Sequence, residues 1–95
     1  MQYHIDVNDY PNQEFTVAVV DDTLKCKLRW SEHNKYWVID VVTNDGEVNG
    51  VACMLFSDIL RNLETRSKLY LSGKEEPTQD NLNDSVFIIY ETEDV

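Results

Sequence analysis

Glycine is scarce, three residues in 95, and the three are scattered, so no glycine-rich loop able to cradle a phosphate can be drawn. Cysteine is rarer still. Cys26 and Cys53 are too few for a disulfide framework and lack the close pair spacing of a zinc site. Each lies in a strand-like run, which makes a reduced core thiol the expected state. Histidine is limited to His4 and His33, both expected at the surface, and His33 falls in a polar turn away from any apolar pocket. A nucleophile with a base beside it therefore has little to be built from. The acidic turns at Asp21-Asp22 and Asp45-Gly46-Glu47 lack the twelve-residue calcium-loop pattern. No metal, no cofactor and no enzymatic activity are expected.

Long hydrophobic runs are missing too. Nothing approaches the ~20 apolar residues of a bilayer span. The start, Met-Gln-Tyr-His-Ile-Asp, has neither the basic nor the apolar region of a signal peptide, so synthesis in a cytoplasm is expected. Basic residues are few: 8 against 18 acidic, a formal net charge of −10. That field opposes binding to nucleic-acid phosphates. Neither a membrane nor a nucleic acid is an expected partner.

What is present is alternation. Leu24, Cys26, Leu28 and Trp30 share one face of a run whose other face holds Lys25, Lys27, Arg29 and Ser31. A period of two over this length marks a half-buried strand. A polar turn at Ser31–Lys35 leads into Tyr36–Thr43, rich in β-branched and aromatic residues, and Asp45-Gly46 closes that run. The pair reads as a hairpin with Trp30 and Trp37 flanking its loop and reaching the same end of a core. Around it, short strands are expected at Tyr3–Val7, Phe15–Val19, Glu47–Phe56, Leu69–Leu71 and Ser85–Glu91, with a bulge or close approach at Gly50. Ser57–Glu64 changes period, with Ser57 as N-cap and a stripe of Ile59, Leu60 and Leu63. It predicts one or two helical turns. A turn is expected at Asp21-Asp22, a loop over Lys74–Asp84, and a frayed tail from Glu93 to Val95. The length and the 42% hydrophobic content fit one domain over residues 1–95. The expected class is all-β, a small antiparallel barrel or sandwich of six to seven short strands with one short helix.

Two strands, around Tyr36–Val42 and Val86–Tyr90, are apolar on both faces, which suits packing between layers or against a partner. Asp40 is the only interruption on its face. Its expected role is structural, accepting hydrogen bonds from a loop or pairing with Arg29 across the hairpin. Half of all basic residues sit at Lys25, Lys27, Arg29 and Lys35, while Glu75 to Val95 holds seven acids and no base. Such a two-signed surface can orient a partner or a neighbouring subunit. Tyr36, Trp37, Tyr70 and Tyr90 are expected in the core or at a protein interface.

One ordered series of residues resembles a known family, the baseplate plugs of contractile-tailed bacteriophages and related tail-derived particles. The series is Asn12-Gln13-Glu14-Phe15, then Leu28-Arg29-Trp30, then Trp37 and Asp40 three apart, then Gly46 and Gly50, a leucine-centred segment at Ser57–Leu63, Asp80-Asn81-Leu82, and a strand closing on Tyr90. It spans nearly the whole chain. The chain departs from the family's pattern at Asp21-Asp22, where a glycine turn is usual, and at Glu91-Thr92, where Val-Pro often follows the tyrosine. The resemblance implies a structural virion component at the distal end of the tail tube, near hub and spike, packed against hub, spike or tube proteins in an oligomeric assembly. By this resemblance Phe15, Trp30, Tyr36, Trp37, Asp40 and Tyr90 are fold-defining or interface residues, and none is catalytic. A different reading is a small acidic inhibitor or DNA mimic of a mobile element, motivated by the charge. An oligonucleotide-binding barrel follows only from fold class.

Overall fold

A computed structural model describes the chain except for residues 1, 9, 20, 21, 64–66, 83 and 93–95. Asp21 of the expected turn and the expected tail lie outside the described residues. The others form seven strands: β1 (Gln2–Ile5), β2 (Asn12–Val19), β3 (Asp22–Ser31), β4 (Tyr36–Thr43), β5 (Gly46–Ala52), β6 (Ser67–Gly73) and β7 (Val86–Thr92). All strand pairings are antiparallel and fall into two sheets, ordered β2-β3-β4-β5 and β1-β7-β6. The sheets are separate, so the architecture is a sandwich and not a closed barrel.

The central hairpin forms as its alternation requires. Leu24, Cys26 and Leu28 of β3 and Trp37, Ile39 and Val41 of β4 are buried on one face, in register as Cys26 opposite Val41, Leu28 opposite Ile39 and Trp30 opposite Trp37. The three-stranded sheet brings Ile5, Leu69, Leu71, Val86, Ile88 and Tyr90 against them in one core. Removing side chains of this size from water stabilises the fold by roughly 1.5–3 kcal/mol each. Four strands facing three leave an overhang. The inward residues of β2, Phe15, Val17 and Val19, are only half-buried.

Several local expectations are corrected: β1 ends at Ile5 and not Val7, and β2 begins at Asn12 and not Phe15. The strand expected over Glu47–Phe56 ends at Ala52, and Leu69–Leu71 extends to Ser67–Gly73. The helix expected at Ser57–Glu64 does not form over the described residues 57–63, of which 59–62 are turns; Glu64 lies outside the described residues. Its backbone groups are engaged elsewhere. Ile59 N–H donates to the Leu69 carbonyl at 2.6 Å, and the Asp58 carboxylate accepts from Leu60 N–H and Leu69 N–H, both at 3.0 Å. Among the described residues, the helix-like bonds with both ends in the segment are Arg61 to Asp58 and Leu63 to Leu60. A segment this short carries the full nucleation cost of a helix, and pairing with β6 outweighs it. The apolar stripe still finds its place, because Ile59 and Leu60 plug the core from this side.

Gly50 marks a bulge, as expected. Ile39 pairs with Val51 and Val41 with Val48, so Asn49 and Gly50 together oppose Asp40. Gly50 has φ +65°, the left-handed conformation this kind of bulge places on glycine.

Candidate assembly surfaces

The end of the sandwich nearest the β3–β4 loop is closed by the two tryptophans. Trp30 meets Trp37 edge-on, ring centroids 5.4 Å apart and planes at 69°. Trp37 is fully buried, and its indole N–H donates to the Thr78 carbonyl at 3.0 Å, which ties the loop before β7 to the hairpin. Trp30 is half-buried. Its indole N–H reaches Glu32 Oε2 at 2.7 Å, and its backbone N–H donates to the Pro11 carbonyl at 2.8 Å. Tyr36, opposite Ser31, is half-exposed beside the same loop.

The outer face of the four-stranded sheet is two-signed. Cross-strand rows run Glu14–Lys27–Asp40 and Thr16–Lys25–Val42–Glu47. Lys27 lies 3.6 Å from Glu14, and Arg29 lies 3.2 Å from Asp40. Asp40 pairs with Arg29 as expected, and the backbone hydrogen bond it accepts comes not from a loop but from the bulge within β5, where Oδ1 accepts from Gly50 N–H at 2.6 Å. The spacing of three between Trp37 and Asp40 puts them on opposite faces, one filling the core and one stitching β3, β4 and β5. These rows border an open depression. Acids and bases alternate here, unlike the single-signed face a DNA mimic presents.

The outer face of the three-stranded sheet is more apolar. Ile89 is buried although it points away from the core, and the His4 and Phe87 rings lie 5.5 Å apart beside it. Gln2, Tyr70 and Glu91 form a hydrogen-bonded cluster: Gln2 Nε2 donates to Glu91 Oε1 at 2.6 Å, and the Tyr70 hydroxyl donates to the same oxygen at 3.1 Å. The Gln2 bond, then the Tyr70 bond, hold the Glu91 carboxyl below its ordinary range. Desolvation first, then Glu91, raise the Tyr70 hydroxyl. Next to them stands Phe56, 67% exposed, with φ +58°, a conformation costly for any residue with a Cβ. Phe56 and Phe87 line one shallow depression with Ser72, Gly73 and Lys74.

The six residues singled out in the sequence are divided between core and surface. Trp37 and Tyr90 are buried, Phe15 and Trp30 line the core's rim, and Tyr36 and Asp40 lie on the outer side of β4. Tyr90 packs on Tyr3 at 6.1 Å and bonds Ser67 Oγ at 2.7 Å. Three contributors escaped the sequence reading. Gln13 clamps the turn before β2, accepting from Asn8 N–H at 3.0 Å and donating to its carbonyl at 2.6 Å. Asp58 and Phe56 were hidden inside the expected helix and strand. The Asn-Gln pair at the head of the motif series is the one available signal for Gln13.

Cys26 and Cys53 are buried and free. Burial pushes both thiols up to about 12, which keeps them protonated, the opposite of what a nucleophile or a metal ligand requires. Among the described residues, no group of three or more His, Cys, Asp or Glu side chains is placed to hold a metal. No helix among them is long and apolar enough to cross a membrane.

A family model described as cyanophage baseplate Pam3 plug gp18 matches residues 2–93. The chain belongs to this family of phage baseplate plugs. Membership makes it a structural component of the virion tail that meets other baseplate components, in a family not known for enzymes. No curated protein matches the chain.

Proposed function

We propose that this plug protein acts as a single domain at the distal end of the tail tube, near hub and spike, where it is packed against neighbouring chains and catalyses nothing. The observation carrying this reading is Phe56. A large aromatic held exposed in a strained backbone conformation, beside Phe87, suits burial by a partner. Val42 on the outer face of the other sheet and Met54 in the β5–β6 connection are exposed as well. Hub, spike or tube proteins are the proposed partners, and neither nucleic acid nor membrane takes part. Trp37, Tyr90, Phe15 and Asp40 define the fold in this reading, while Trp30 and Tyr36 sit where a neighbour can touch them. Synthesis occurs in the bacterial host cytoplasm before assembly. Gold-labelled antibody against the chain, applied to purified tails, tests the position. Label concentrated at the tube's distal tip is expected; label along the sheath or at the head end contradicts it.

A further inference from the structure

A two-sheet sandwich has four edge strands, and each unpaired edge is a template for another strand. Three of the four are blunted. β1 is only four residues long. The edge of β6 is covered by the segment after β5: Phe56 N–H donates to the Leu71 carbonyl at 2.7 Å, Ile59 N–H to the Leu69 carbonyl, and Asp58 accepts from Leu69 N–H. β5 is broken by the bulge at Asn49 and Gly50. The fourth edge, β2, has none of these devices. It pairs with β3 through eight consecutive partners with no shift in register. It contains no proline and one charged side chain, Glu14. Alternate backbone N–H and C=O groups of such a strand point away from its one neighbour. Its inward residues Phe15, Val17 and Val19 are half-buried, so a further strand would complete their burial.

We propose that β2 is the edge on which this plug receives an extended segment of another tail protein, one that carries lysine or arginine. The proposal rests on the assembly reading above and adds the surface and the mode, main-chain strand addition. Charge selects the occupant. A second copy would bring its own −10 against the −10 of the first. The only charge on the edge is acidic, and its partner Lys27 is loosely held at 3.6 Å with both side chains largely exposed. A basic residue placed opposite Glu14 gains a cross-strand pair; an acidic one is repelled.

Hydrogen exchange of the purified chain and of the same chain in assembled tail particles tests this. In the particle, the β2 amides that face away from β3 should exchange slower by at least about tenfold, as newly bonded amides do. Glu14→Gln, which removes the edge charge without setting a second lysine opposite Lys27, should lower the copies incorporated about threefold, the size of one lost cross-strand charge pair. Incorporation with unchanged β2 exchange overturns the proposal and leaves the assembly reading standing. Protection that instead rises with concentration of the purified chain, together with dimer in sedimentation, overturns it in favour of a second copy. Absence of the chain from particles ends both readings.

Discussion

The indole N–H of Trp37 donates to the carbonyl oxygen of Thr78 at 3.0 Å, across 41 residues of chain. Through this bond a fully buried core residue of β4 fixes the polar loop that leads into β7. Trp37→Phe should remove the bond and leave a void beside Leu28 and Ile39, costing roughly 2–4 kcal/mol. Urea denaturation should show it as a lower midpoint with an unchanged slope. Faster amide exchange confined to residues 76–81 would accompany it.

Asp40 makes one contact to a side chain and one to the backbone, so its variants separate the two. Asp40→Asn keeps an acceptor for Gly50 N–H and loses the charge facing Arg29, an exposed pair worth at most about 1 kcal/mol. Asp40→Ala loses both and should cost about 1–2 kcal/mol. A double-mutant cycle with Arg29→Ala, read by denaturation, should give a coupling of less than about 1 kcal/mol.

The central hairpin was legible because its signal is local: period-two alternation, a polar tip and a tryptophan on each side. The Arg29–Asp40 contact was expected across the same hairpin, though the register sets Lys27 directly opposite Asp40 and Arg29 reaches it diagonally. The division into two sheets was not legible. β1 pairs with β7, with Gln2 opposite Glu91, and pairing between opposite ends of a chain leaves no periodic trace nearby. The segment at Ser57–Leu63 misled because Ile59, Leu60 and Leu63 carry a helical stripe. The hydrogen bonds that decide its conformation come from Leu69, which the stripe does not reveal. Of the assembly surface, the doubly apolar strands and the two-signed charge pattern were visible. Phe56 was invisible because exposure and backbone strain are properties of the folded chain.

Two glycines should respond differently to alanine. At Gly73 a Cβ would collide with the Ser85 carbonyl and press on Val86, backbone that cannot step aside cheaply. Gly73→Ala should cost about 3 kcal/mol or fail to fold. At Gly50 a Cβ meets nothing, and only the positive φ is unfavourable, so Gly50→Ala should cost about 1 kcal/mol. Thermal melts of the two variants side by side check the order.

The buried thiols set an alkaline limit. Cys26 and Cys53 are raised by burial to about 12 in the fold from an ordinary value of 9.0. A raised pKa contributes nothing to the pH dependence below the unfolded value. Stability is lost as pH climbs from 9 towards 12, because only the unfolded chain releases the protons. The melting temperature should fall steeply over that window, and Cys26→Ala/Cys53→Ala should flatten the fall. At pH 8 a maleimide should label neither thiol until the chain is unfolded.

The most direct test of a structural role in the baseplate is the amount of this chain in purified tail particles, measured by quantitative mass spectrometry against the tube protein. A fixed small copy number per particle, resistant to high-salt washing, is the predicted result. Absence from particles, or traces that wash away, would contradict it.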